Sequence, residues 1–147
     1  MPKILVLYYS RSGNTEKMAK VVAEGIKTVG DVEVELNYFV PVEELANFDA
    51  IVVGVPTYHH NMPIEIKKLF EEVAEKGIHL KGKVGGAFGS YGWSGEAPKY
   101  VLEIMKNRFE MKVIEGPLLA KYVPDQDKKN SCLDFGKRIA ESLIDSG

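Results

Sequence analysis

Six consecutive residues, Ser10-Arg-Ser-Gly-Asn-Thr15, bring three hydroxyls, one amide and one glycine together directly after the apolar run Lys3-Ile-Leu-Val-Leu-Tyr-Tyr9. The run reads as a buried strand, and a helix follows the loop at once. A loop in that position suits an anion. First-turn N–H groups of a helix have no intrahelical acceptor, and the aligned peptide dipoles add partial positive charge there. A phosphate would be held by neutral donors, without lysine. The same residue types are also ordinary helix caps, so a plain βα turn accounts for the loop equally well.

What the loop lacks narrows the chemistry. It has no Gly-Lys-Ser/Thr ending for a nucleoside triphosphate and no three-glycine spacing for a dinucleotide. A cysteine phosphatase would need a thiolate here, yet the one cysteine is Cys132, far along the chain. A phospho-acceptor signalling domain would need aspartates at strand ends, where this chain has Tyr9 and Ser10.

Two further loops carry unusual residues. Thr57-Tyr-His-His-Asn-Met62 leaves a second apolar run, Ala50-Ile-Val-Val-Gly-Val55. Its paired histidines suggest a metal, but adjacent side chains on extended backbone point apart, and no carboxylate or thiolate accompanies them. A polar surface turn or a cofactor-lining role is the reading kept, with no metal. Gly89-Ser-Tyr-Gly-Trp-Ser-Gly95 holds the only tryptophan, and residues 82–95 contain six of the fourteen glycines. Glycines allow close approach of another group, and rings held among them suit a flat aromatic partner. A tryptophan lidding the core is the alternative.

The elements that position these loops alternate. Met18, Val22, Ile26 and Val29 recur at helical spacing before Gly30. Val32, Val34, Leu36 and Tyr38 alternate as in an edge strand. Ile66, Leu69, Phe70 and Val73 form the next helical stripe, with Pro63 at a first helical position. Lys83–Ser90 reads as a fourth strand, and a helix over 94–109 turns Ala97, Val101, Ile104 and Met105 inward. A fifth strand is split over 111–114 and 118–123. The last helix, from Asp127, buries Cys132, Ile139, Ala140 and Leu143. Such alternation predicts a parallel sheet covered on both faces. An edge-like second strand beside buried first and third strands gives the order 2-1-3-4-5, with a ligand crevice where the order reverses. The three loops are therefore expected to meet at one rim.

The 147 residues, 45% hydrophobic and 27% charged, predict a single domain over 1–147. A net charge of −2 indicates neither nucleic acid nor a membrane surface as partner. One cysteine excludes an internal disulfide, and no leader or membrane span is read, so a cytoplasmic location is expected.

Taken together, the three loops make the chain resemble the flavodoxin family of FMN-binding electron carriers. Ser10-Arg-Ser-Gly-Asn-Thr15 is similar to the family's phosphate loop, Thr/Ser-x-Thr/Ser-Gly-Asn-Thr. The stretch Phe88-Gly-Ser-Tyr-Gly-Trp-Ser-Gly-Glu-Ala97 and the tail Cys132 to Ala140 resemble the flavodoxin module of flavodiiron proteins, here expected as a stand-alone domain. The resemblance implies an α/β fold, a three-layer, doubly wound flavodoxin-like sandwich with a five-stranded parallel sheet. It implies FMN as cofactor, redox proteins as partners and no catalytic side chain. Carried over by position, Ser10, Ser12, Asn14 and Thr15 hold the phosphate with backbone amides from Arg11 through Gly13 to Thr15. Pro56, Thr57 and Tyr58 line one side of the flavin ring, extended by His59, His60 and Asn61. Ser90, Tyr91, Gly92 and Trp93 line the other, up to Gly95, with Trp93 and Tyr58 the stacking candidates. Arg11 either lies near the phosphate or points to solvent.

Departures from the family pattern matter too. No metallo-β-lactamase-like domain or diiron ligand set is read in this chain, and its acidity is mild. No glycine lies between Gly54 and Gly77, although many members flip a glycine peptide in that loop when the flavin takes up one electron. A residue such as His59 forced to positive φ would pay about 1–2 kcal/mol, so the half-reduced flavin is expected to be weakly stabilised. The alternatives to an electron carrier are an FMN-dependent NAD(P)H:quinone-type oxidoreductase and a domain that uses the cradle for another phosphate.

Overall fold

The apolar runs fold as strands and the apolar stripes as helices in the computed structural model, which describes residues 1–10, 13–57, 61–92 and 94–145. In chain order come β1 (Lys3–Tyr8), α1 (Asn14–Val29), β2 (Glu33–Asn37), a 3-10 turn (Val42–Asn47), β3 (Ala50–Gly54) and α2 (Ile64–Glu75). Then follow β4 (Val84–Tyr91), α3 (Glu96–Glu103) running into a wider π turn (Ile104–Arg108), β5 (Lys112–Val113), β6 (Leu118–Lys121) and α4 (Gln126–Asp145). Pro63 is extended, at φ −58° and ψ 144°, and so precedes the first helical residue of α2 rather than occupying it.

All strand pairs are parallel, in the order β2-β1-β3-β4-β5. The expected order holds, and the fifth position is shared. β5 pairs with Val84 and Gly85 at the start of β4, and β6 pairs with Phe88 to Tyr91 at its end. Between them stand Gly116, at φ +81°, and Pro117, which has no N–H for the ladder. The split is therefore a local backbone effect.

Alternating side chains of the strands serve two cores. Leu5, Leu7, Ile51 and Val53 meet α2, α3, the π turn and the 3-10 turn, including Ile66, Phe70, Val101 and Met105. Ile4, Val6, Val52 and Phe88 meet α1 and α4 through Met18, Val22, Ile26, Cys132 and Ile139. Phe135 joins this second core, whereas Leu143 is only partly buried. α1 and α4 approach backbone to backbone at two glycines: a Cβ on Gly25 would strike the Leu133 carbonyl oxygen, and one on Gly136 the Val22 carbonyl oxygen. On the opposite face a cleft of about 480 Å3 opens beside α2, lined by Tyr9, Tyr38, Phe39, Val42, Ile66 and Leu69. Among the described residues no helix is long and apolar enough to cross a membrane.

Candidate functional site

The carboxyl ends of β1, β3 and β4 carry the three loops, and two side-chain bonds tie them together. Thr15, fully buried in the first turn of α1, pairs its Oγ1 with Ser90 Oγ at 2.8 Å across 75 residues of sequence. The Ser90 N–H also donates to Thr15 Oγ1, at 3.3 Å. Ser90 itself is buried. Forty residues of sequence separate the second pair, in which the Ala97 N–H donates to Thr57 Oγ1 at 2.9 Å. Gly95 caps α3 without a side chain, so Thr57 meets from another loop a need of the α3 N-terminus. The crevice at the point where the strand order reverses is thus cross-linked by hydroxyls.

The first loop ends at the N-terminus of α1. Gly13, at φ +87°, is the cap residue of the 16-residue α1 and gives it no side-chain hydrogen bond. That left-handed backbone is the conformation glycine adopts without cost. Ser10 Oγ accepts instead, from the Gly13 N–H at 3.1 Å and the Glu16 N–H at 3.3 Å. Glu16, the acidic residue of the first turn, would repel an anion, but it takes a hydrogen bond from Tyr8 OH at 2.9 Å. Desolvation, and then the Glu16 bond, push the Tyr8 phenol above its ordinary range, so it stays a donor. Neutral hydroxyls and amides at a helix N-terminus, with the local carboxylate engaged, form a donor set that fits a phosphate. Of the two described hydroxyls expected at the phosphate, Ser10 accepts from amides of its own turn and Thr15 bonds to Ser90 at the end of β4.

The second loop begins with buried Val55 and Pro56, and the Val55 N–H donates to the Phe88 carbonyl at 2.9 Å. At its far end Asn61 Oδ1 accepts from the Met62 N–H at 2.9 Å. β4 runs through the expected loop residues Ser90 and Tyr91; Tyr91 is partly buried, and a Cβ on Gly95 would lie 3.3 Å from its Cδ1. Among the expected site residues, Arg11, Ser12, Tyr58, His59, His60 and Trp93 lie outside the described residues. Among the described residues no group of three or more His, Cys, Asp and Glu stands together to hold a metal.

One neighbour of the site escaped the sequence. The expected strand over 118–123 stops at Lys121, and Tyr122 turns to φ +56°, a left-handed backbone that costs a residue with a Cβ about 1–2 kcal/mol. Its N–H donates to the Tyr91 carbonyl at 2.6 Å. The only cue in the sequence is an aromatic just past a strand end, on the rim where the loops gather.

Comparison with known proteins agrees with this geometry. The family model described as Flavodoxin matches residues 6–136. The flavodoxin of Clostridium beijerinckii is 34% identical over 138 residues, covering 92% of this chain and 97% of that protein. The flavo-diiron protein FprA2 of Clostridium acetobutylicum is 33% identical over 147 residues, covering 95% of this chain but 36% of that protein. The chain thus spans about a third of that larger relative. Among solved structures, a flavodoxin from the domain Archaea superposes with a TM-score of 0.88 at 35% identity, covering 97% of this chain and 99% of that one.

Proposed function

This chain belongs to the flavodoxin family of FMN-binding electron-transfer proteins, and from that premise we propose which of its residues do the work. The α1 N-terminus and loop 10–15 hold the FMN phosphate through backbone amides, with Asn14 and the hydroxyls of Ser10 and Ser12 beside them. Loops 57–62 and 90–95 bracket the flavin ring, with Tyr58 and Trp93 as its aromatic walls. The observation that carries this reading is the Thr15–Ser90 bond of 2.8 Å, because it fixes the phosphate loop against the ring loop at one rim.

FMN, when bound, supplies the redox chemistry, accepting and releasing electrons. The protein's part is to hold and to shield. The α1 dipole favours the phosphate without a balancing lysine. Thr57 locks the start of α3 and so keeps the second and third loops in register. No side chain is assigned a proton transfer. Electrons pass to and from redox proteins at the exposed edge of this rim, and the whole chain 1–147 acts as one domain.

The test is spectroscopic. Mixing the purified protein with FMN is expected to give the visible absorption of a bound flavin with quenched emission. Asn14→Leu is expected to weaken FMN binding while leaving riboflavin binding little changed, so that the two bind more alike. A protein that takes up no FMN, or that prefers riboflavin, would refute the assignment.

A further inference from the structure

Three residues other than glycine have positive φ: Asp31, Glu110 and Tyr122, among the described residues. Asp is a natural occupant of that backbone, and an exposed Glu in a turn meets little crowding. A bulky aromatic is the outlier. Such an outlier persists only where surrounding structure imposes it, and it then invites a functional explanation.

Tyr122 is held by the third loop of the site. Its N–H donates to the Tyr91 carbonyl at 2.6 Å, one step beyond the last β4–β6 pair, Tyr91 with Lys121. Its ring lies across Gly92, where a Cβ would come 3.1 Å from Cε1 and 3.7 Å from Cδ1. Gly92 has no positive φ, so what a side chain there would meet is crowding from the Tyr122 ring and not backbone strain. The Lys121 ammonium sits 5.7 Å from the centre of the Tyr122 ring. The residue is 60% exposed, so it adds little to either core. A position that served stability alone would be better filled by glycine or asparagine.

We propose that Tyr122 is a positioning residue of the flavin site: its N–H and its ring hold Tyr91 and Gly92, where β4 leads into the third loop. The proposal rests on the reading that this loop faces the FMN ring. Tyr122 acts through the loop, by preorganising it, so its loss shows as weaker cofactor binding without a weaker fold.

The experiment compares FMN affinity by fluorescence titration with the melting temperature of the apoprotein. Tyr122→Gly relieves the backbone and removes the ring. Its apoprotein is expected to melt at or above the wild-type temperature while its FMN dissociation constant rises about tenfold. Tyr122→Asn is expected to behave alike, and Tyr122→Phe to bind as wild type. Gly92→Ala is expected to weaken FMN binding in the wild-type background and to have little effect once Tyr122 is Gly, the coupling expected of touching residues. Wild-type affinity in Tyr122→Gly would overturn the proposal. So would affinity and melting temperature falling together without rescue by Phe. If Asn14→Leu weakens FMN and Tyr122→Gly does not, the proposal alone fails. If wild-type protein takes up no FMN, the binding reading fails and takes the proposal with it.

Discussion

On the face covered by α1 and α4 the helices meet backbone to backbone, Gly25 on the Leu133 carbonyl and Gly136 on that of Val22. On the face covered by α2 and α3 the helices leave clefts of about 480 and 400 Å3. The tight face delivers loop 10–15, to which the proposed function gives a small, charged group. The looser face delivers loops 57–62 and 90–95, to which the proposed function gives a large flat one, and bonds to Thr15, Tyr122 and Thr57 tie them across the rim. The contrast is between a face closed by backbone contact and one whose loops are tied together by hydroxyl cross-links such as Thr57–Ala97.

Overfilling should separate the faces most sharply. Gly136→Ala gains about 1 kcal/mol of helix propensity, yet its methyl meets a backbone carbonyl that has nowhere to go. A net loss of about 2–3 kcal/mol is expected in urea denaturation. Leu69→Phe adds a ring at the cleft of the looser face, where about 1 kcal/mol or less is expected. Equal losses would abolish the contrast.

Cutting the link between loops comes next. Thr15→Val leaves Ser90 buried without its hydroxyl partner, at a cost of about 1–2 kcal/mol, together with weaker FMN binding. If affinity is unchanged while stability falls, the Thr15–Ser90 bond belongs to the fold and not to the site.

A pH dependence probes the tight core directly. Burial pushes the Cys132 thiol up from 9.0 to about 11. Well below pH 9 the thiol is protonated in both folded and unfolded chains, so its burial is unopposed. As pH rises from about 9 to 11 the unfolded chain loses the proton first, and stability falls. Cys132→Ala is expected to lower stability overall but to flatten that fall, as read from chemical denaturation at several pH values.

The smallest effect is expected on the rim of the cleft. Lys76 bridges Glu43 of the 3-10 turn at 2.6 Å and Glu72 of α2 at 2.9 Å, and all three side chains are well exposed. Lys76→Met should leave the melting temperature nearly unchanged, with any difference vanishing in salt. A large loss would mean that the looser face depends on its surface ties.

Much of this was legible before any coordinates. The period-2 and period-3.6 stripes placed the strands and helices, and continuous against alternating apolar runs separated the central β3 from the edge β2. Loop composition marked the rim. The reading failed where backbone detail overrode pattern. Tyr122 and Val123 continue an apolar stretch, but the chain turns out of β6 at Tyr122 to enter α4. Nothing in the pattern marked Gly25 and Gly136 as contact points, because a glycine's neighbour across a helix crossing leaves no mark in its own segment.

The sequence by itself determined the alternation of elements, the sheet order and the chemical character of the three loops, since these follow from periodicity and residue type. Only the tertiary structure decided which loop residues bind one another. It gave the Thr15 and Thr57 hydroxyls to partners 75 and 40 residues away, and it seated Tyr122 on Gly92. Such pairings depend on register and on the close approach of distant segments, which no local window of sequence encodes.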